Sequence, residues 1–227
     1  MSTDMNKDGG RERGKVLLVD DHPILRQGLR LLINQEPDLM VIGEAGSAGE
    51  ALRQVQNNQP DVAVVDIWLK DSSGIELIKD IHCRYPAVLV LVLSMHDESY
   101  YAERVLRAGA RGYVTKSQAP ATLITAIRHV MRGEIYLSES MSALMLSKYI
   151  EGADGPARAV DRLSDRELEV FEYIGHGMGT RQIAGKLHLS VKTVESHRAN
   201  IKKKLKIDSA TELLQHAIQW VPYEKSE

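Results

Sequence analysis

Five short apolar runs punctuate the first half of the chain: KVLLVD at 15–20, LMVIGEA at 39–45, DVAVVD at 61–66, VLVLVLS at 88–94 and RGYVT at 111–115. Several are continuous rather than alternating, the pattern of strands covered on both faces. The gaps between them carry apolar residues at helical spacing over Pro23–Gln35, Ser47–Asn57, Ser73–Cys83, Glu98–Arg107 and Gln118–Arg132. In the first of these, Ile24, Leu25, Leu29, Leu32 and Ile33 fall near one side. Pro37, Pro60, Pro86, Gly109 and Gly133 mark the junctions. Alternation of β and α at this spacing predicts a parallel sheet with helices on both faces. Right-handed crossovers then restrict it to a doubly wound α/β fold.

After Gly133 the pattern changes. Ser138–Ile150 reads as a helix with Met141, Leu144, Met145 and Tyr149 on a stripe. EGADGPARAVDR, residues 151–162, has the composition of a flexible linker. Beyond it everything reads as helix, over about 164–174, 180–187, 191–205 and 209–220. Ser164 with Glu167 and Ser209 with Glu212 each fit a capping box, and Ser190 stands where an N-cap would precede Val191.

Composition narrows the class. At 43% apolar and 26% charged, with a net charge of −2, the 227 residues are ordinary for a globular chain and too long for one small domain. The lone Cys83 excludes an internal disulfide and a cysteine-rich zinc module, and is expected as a buried thiol of the third helix. No apolar stretch approaches the roughly 18 residues of a membrane span. The N-terminal MSTDMNKDGGRERGK lacks the apolar core of a signal peptide. A frayed tail and a reducing cytoplasm are the expectation.

The strand ends carry the chemistry. Ligands of open parallel sheets bind at the carboxyl ends of the strands. Here those ends are Asp20 and Asp21, Asp66, Ser94, and Thr115 with Lys116. One carboxylate at a strand end is as readily a turn or helix cap, and Asp20 alone could be that; the set is harder to read so. Close carboxylates repel unless neutralised, and Mg²⁺ suits a site of few carboxylates, water and phosphate oxygens. A carboxylate can attack phosphorus, Lys116 can balance the phosphoryl charge, and Ser94 can hydrogen-bond a phosphoryl oxygen.

The second patterned segment is TRQIAGKL-HLS-VKTVESHRANIKKKL, a helix, a short turn and a helix. Ile183, Ala184 and Leu187 form the inner face of the first; Val194, His197, Ile201 and Leu205 face inward from the second. Lys192, Glu195, Ser196, Ala199, Lys202 and Lys203 then point outward. Between Val191 and Ile207 six cations meet one anion, Glu195. A cationic run is often only a solvated face, but on a helix-turn-helix it suits the major groove, lysines on phosphates and the middle residues on base edges. His188, in the turn, is expected in a left-handed conformation.

Residues 14–135 resemble the receiver domain of two-component response regulators, through the acidic pair after the first strand, Asp66 after the third, Ser94 after the fourth and Lys116 after the fifth. The resemblance implies a five-stranded sheet of order 2-1-3-4-5. It also implies Asp66 as acceptor of a phosphoryl group from a sensor histidine kinase, and Mg²⁺ on Asp20, Asp21, Asp66 and the backbone carbonyl of Trp68. Ser94 and Tyr113 take the switch positions. Residues 161–223, after a helix and linker at 136–160, resemble the LuxR-type helix-turn-helix of NarL/FixJ regulators. The carrying residues are Leu163, Arg166, Glu167, Val170, Ile183, Ala184, Leu187, Lys192, Thr193, Val194, His197, Asn200, Ile201, Lys204 and Leu205. By that resemblance Lys192 and Lys204 touch the DNA backbone, and Glu195, Ser196 and Ala199 occupy base-reading positions. Thr193, His197, Asn200 and Lys203 complete the expected DNA face. The whole implies a transcription regulator rather than an enzyme, dimeric when active, with double-stranded DNA and the kinase as partners and RNA polymerase as a further candidate.

Two departures stand out. Many relatives have Met-Pro three and four residues after the acceptor, where this chain has Leu69 and Lys70; many have Gly where this chain has His188. Other classes stay open on the residues alone. An Asp-nucleophile phosphohydrolase would want a second Asp where Trp68 stands. A flavodoxin-like flavin carrier would want a phosphate-cradling loop where HPIL stands. A regulator that binds DNA constitutively is the closest rival.

Overall fold

A computed structural model of the chain describes residues 13–69, 73–96, 98–151 and 159–221. The expected N-terminal tail, Lys70 with its neighbours, and most of the expected linker lie outside them.

Strands β1 (Gly14–Val19), β2 (Leu39–Ala45), β3 (Val62–Val65), β4 (Leu89–Ser94) and β5 (Gly112–Thr115) form one parallel sheet of order β2-β1-β3-β4-β5, as expected. Alternate residues feed opposite faces. Val16, Leu18, Val62, Val64, Leu91, Leu93 and Val114 pack under α1 (Pro23–Asn34) and α5 (Ala119–Met131). Leu17, Val19, Ala63, Val65, Val90, Val92 and Tyr113 pack under α2 (Ala48–Asn58), α3 (Gly74–Arg84) and α4 (Glu98–Arg107). Burial on both faces is why these strands read as continuous apolar runs.

Register builds the site. Val19 pairs with Val65, so Asp20 and Asp66 leave the sheet side by side. Val65 pairs with Val92, and Ser94 pairs with Thr115, which brings Ser94 and Lys116 to the same edge.

Helix α6 (Glu139–Glu151) packs against α4; Met141 is buried and Glu98 accepts from the Ser138 N–H. Of its expected stripe, the Tyr149 side chain lies outside the described residues. The C-terminal end of the expected linker is a single 3₁₀ turn, Ala159–Arg162. The remaining helices are α7 (Asp165–Gly175), α8 (Thr180–Lys186), α9 (Val191–Leu205) and α10 (Ala210–Trp220). Ser164 and Glu167 form the reciprocal capping box. Ser190 caps α9 and Ser209 caps α10, but the Glu212 carboxylate turns to the N–H of Asp208 instead of completing a box.

Cys83 is exposed, against expectation. The buried stripe of α3 runs through Ile75, Ile78 and Ile81; a residue two beyond Ile81 is about 200° round the helix, on the outer side. The α10 apolar residues divide: Leu213 and Ala217 are buried, while Leu214 and Ile218 are exposed.

Apolar packing does not stop at the end of the α/β unit. The cluster holding Val65, Tyr101 and Tyr113 continues through Leu168, Phe171, Leu213 and Ala217. Polar contacts reinforce it. Arg104 of α4 donates to the carbonyls of Val160 and Leu163, and Asp165 at the start of α7 pairs with both Arg104 and Lys79 at 3.1 Å. Tyr100 donates to the Trp220 carbonyl and its ring lies 4.3 Å from the indole.

Candidate functional site

Asp20 and Asp66 are almost sealed from water at the carboxyl edge of the sheet. Lys116, itself 4% exposed, places its Nζ 2.6 Å from Asp20 Oδ2 and 2.6 Å from Asp66 Oδ2. Burial pushes the Asp66 carboxyl up and Asp20 adds to this; Lys116 opposes, and the group settles at about 6. Burial works against the Lys116 ammonium, but the two carboxylates outweigh it and hold it charged. Asp21 joins from the rim, with His22 Nδ1 2.7 Å from its Oδ1 and 3.0 Å from Asp20 Oδ1.

Donor atoms of Asp20, Asp21, His22 and Asp66 all lie within 4.8 Å of one another. Asp20 Oδ2 and Asp21 Oδ1 are buried, have ionic neighbours and make no well-formed hydrogen bond among the described residues. Hard anionic oxygens with unused acceptor capacity suit a divalent cation. The edge is an acidic pocket compatible with one.

Two local features hold this edge open for chemistry. Gly74 begins α3 against the Asp66 strand end, where a Cβ would come 2.2 Å from the Asp66 carbonyl oxygen. The Trp68 N–H donates to Asp66 Oδ1 at 3.3 Å, leaving its other oxygen to Lys116. Beside them Ser94 is buried, its Oγ accepting from the His96 N–H at 3.2 Å. Tyr113 is buried as well and donates to the His96 carbonyl at 2.9 Å; burial pushes its phenol far up, so it stays a donor. Thus Asp20, Asp21, Asp66, Ser94 and Lys116 come together, with Tyr113 one contact away.

The helix-turn-helix has most of the expected faces; Lys202, expected outward, and Leu205, expected inward, are both half-buried. Ile183, Ala184 and Leu187 of the first helix and its cap are buried, as are Val194 and Ile201 of α9. His188 has φ of 50°. Lys192, Glu195, Ser196, Ala199, Asn200 and Lys203 are exposed along α9. Thr193 is half-buried and shares a hydrogen bond with the Ser190 hydroxyl at 2.7 Å. His197 is half-buried, and burial with the nearby Arg166 pulls its imidazole down. Lys204 is not free: its Nζ lies 2.6 Å from Glu167 Oε2. Burial raises Glu167, but Lys204 and the Ser164 N–H outweigh it and hold the carboxyl below its ordinary range.

Residues 16–128 match the response regulator receiver domain, and residues 161–217 match the luxR family of bacterial regulatory proteins. The oxygen regulatory protein NreC of Staphylococcus carnosus is 34% identical over 90% of this chain and 97% of its own length. The chain belongs to the NarL-type response regulators. A solved structure of the RcsB response regulator of Salmonella typhimurium aligns over 93% of this chain and all of its own, with a TM-score of 0.68 and 28% identity. Another RcsB structure, from Salmonella enterica serovar Typhimurium, is bound to the promoter rprA in the presence of the phosphomimetic BeF₃⁻. It aligns over 91% of this chain and 99% of its own at 28% identity, with a TM-score of 0.63. As a member of this family the regulator is a two-component, DNA-binding protein and not an enzyme.

The residues that join the regulator's two units were not singled out from the sequence. His96 Nδ1 pairs with Glu172 of α7, and Tyr101 donates to the other Glu172 oxygen at 2.5 Å. Trp68 stacks on His96 with centroids 4.6 Å apart and takes the edge of Tyr173 at 4.7 Å. Glu169 is buried beside Arg166 and Ser73, and burial pushes its carboxyl up. Helical spacing gives no signal for them: Glu169 and Glu172 fall on the side of α7 away from Val170, Phe171 and Ile174, yet both are buried. A cleft of about 480 Å³ separates Asp21, His22, Pro23 and Ile24 from Gly185, Lys186 and His188.

Proposed function

We propose that the regulator is switched by phosphorylation of Asp66 and that the switch governs its dimerisation and DNA binding. The phosphoryl donor is the phosphohistidine of a sensor kinase. An Asp66 oxygen attacks phosphorus, the P–N bond breaks, and the leaving imidazole takes a proton. Mg²⁺, held by Asp20, Asp21, Asp66 and the Trp68 carbonyl, would offset the repulsion between these carboxylates and the incoming phosphoryl oxygens. Lys116 gives up part of its pairing with Asp66 to meet the new charge, Ser94 donates to a phosphoryl oxygen, and Tyr113 repacks.

The carrying observation is Lys116 bridging Asp20 and Asp66 at 2.6 Å in a buried corner. A buried cation and anions so placed are already arranged for a group that adds charge, and positioning with electrostatics is most of what phosphoryl transfer asks of a protein. The exposed α9 face supports the rest of the reading. Lys192 contacts DNA backbone as expected, and exposed Lys203 takes the backbone contact expected of Lys204, which Glu167 holds; Thr193, His197 and Asn200 frame the reading residues Glu195, Ser196 and Ala199. These three give no bidentate guanine contact, so operator choice leans on DNA shape. Phosphorylation shifts a pre-existing equilibrium toward a homodimer, whose paired modules gain avidity on paired half-sites. The cytoplasm is the compartment that supplies the kinase domain, the DNA and RNA polymerase.

Footprinting on genomic fragments with and without a small phosphodonor and Mg²⁺, for wild type and Asp66→Asn, tests the reading. Protection that strengthens with phosphodonor only in the wild type is expected. Equal protection in all four arms would identify a constitutive regulator instead.

A further inference from the structure

The receiver's two switch side chains and the second domain meet at one residue. The His96 backbone N–H donates to Ser94 Oγ at 3.2 Å, and its carbonyl accepts from Tyr113 at 2.9 Å. The imidazole pairs with Glu172 of α7 and stacks on Trp68, two residues past Asp66. Glu172 is 8% exposed and also accepts from the fully buried Tyr101. Burial and the adjoining Glu172 drive the Tyr101 phenol well up, so it remains a donor to that carboxylate. Single-residue spacing links these contacts: only Met95 separates Ser94 from His96.

We infer that His96 couples phosphoryl acceptance to domain docking, and that Glu172, on the DNA-binding domain, is a positioning residue for Ser94. The inference rests on Asp66 being the phosphoacceptor. While Glu172 holds the imidazole, the His96 N–H holds Ser94 Oγ in its present orientation. Turning that hydroxyl toward a phosphoryl oxygen on Asp66 gives up the bond and frees the Met95–His96 turn. The same turn carries the Tyr113 acceptor, so the tyrosine is released in the same movement. Phosphorylation also replaces the single charge of the Asp66 carboxylate with about −1.5 to −2 on the acyl phosphate, a net gain of about −0.5 to −1 in a corner that α7 already faces with buried Glu169 and Glu172. Both effects push α7 off the receiver. Because coupling between two sites is reciprocal, the Glu172 hold on His96 must weaken acceptance by the same factor.

The routing is specific to this part of the interface. Asp165, at the other end of the contact, is held by Lys79 and Arg104 rather than by the Ser94–His96 turn. Loss of Asp165 removes a charged contact remote from the switch turn while α7 stays docked through its apolar packing and Glu172.

The test is calorimetric titration of the full chain with beryllofluoride in excess Mg²⁺, for wild type, Glu172→Ala, Glu172→Gln, His96→Ala and Asp165→Ala. Glu172→Ala and His96→Ala should bind the phosphoryl mimic at least about fivefold tighter than wild type, the lower end of ordinary coupling. Glu172→Gln keeps the shape and an acceptor for Tyr101, and should fall back toward wild type. It also keeps the test available if the alanine variant folds poorly. Asp165→Ala should shift affinity less than twofold. Equal affinity across the set, with the mimic bound by all, would overturn the coupling while leaving the phosphoacceptor in place. A shift for Asp165→Ala as large as for Glu172→Ala would assign the effect to loosened docking and overturn the route through His96. No binding by any protein would remove the coupling together with the reading of Asp66.

Discussion

Lys116 and Asp66 face each other at 2.6 Å with their side chains 4% and 5% exposed. The same ammonium reaches Asp20 at 2.6 Å, so one cation serves two buried anions. Removing one partner of a buried pair strands the other, which costs more than the pair itself is worth.

Lys116→Met should therefore destabilise the metal-free protein by on the order of 3 kcal/mol, lowering its melting temperature. Added Mg²⁺ should restore much of the loss, because a divalent cation neutralises the stranded carboxylates. Differential scanning calorimetry with chelator and with millimolar Mg²⁺ measures both. A variant as stable as wild type under chelation would contradict the electrostatic account of this corner.

The second expectation concerns pH in the absence of divalent metal. Burial lifts the Asp66 carboxyl from 3.8 to about 6 in the folded chain. Between these values the folded state binds more protons than the unfolded one, so stability falls as pH rises through about 6. At neutral pH the buried charge costs on the order of 3 kcal/mol. Asp66→Asn removes it and should raise the melting temperature at pH 7.5, with the gain shrinking as pH is lowered toward 4. A gain that grows on acidification would reverse the sign and defeat the assignment.

The lysines of α9 divide by what they already hold. Lys192 and Lys203 are exposed, whereas Lys204 is tied to Glu167 at 2.6 Å. Lys192→Ala and Lys203→Ala should each lower the slope of log K against log salt by about one, without loss of fold stability. Lys204→Ala should leave the slope closer to wild type and cost about 1 kcal/mol of stability, since Lys204 is partly exposed but its partner Glu167 is buried. Fluorescence anisotropy on duplex DNA from about 50 to 200 mM salt, alongside thermal melts, separates the two behaviours.

Much of the regulator was legible in one dimension because its determinants are local. Apolar runs of both-face burial set the strands, Ser164, Ser190 and Ser209 set helix starts, and the residues following the strands had to gather at one edge once the sheet was parallel. Register then made Asp20 and Asp66 neighbours, because Val19 pairs with Val65. Cys83 failed for a local reason too: two residues past a buried isoleucine is the wrong side of a helix.

The contact between the two units could not be read that way. Glu172 and His96 are 76 positions apart, and no spacing rule links a carboxylate on one amphipathic helix to an imidazole after a strand. Periodicity shows which face of α7 is apolar but not what covers it, so Glu169 and Glu172 look like ordinary helix charges until the receiver packs over them. Lys204 likewise reads as one more cation of a basic run until Glu167 of another helix is set beside it. Short-range pattern determines which elements form and which residues crowd one sheet edge. Packing between distant segments alone decides which charges are buried, with whom, and therefore which of them the switch must disturb.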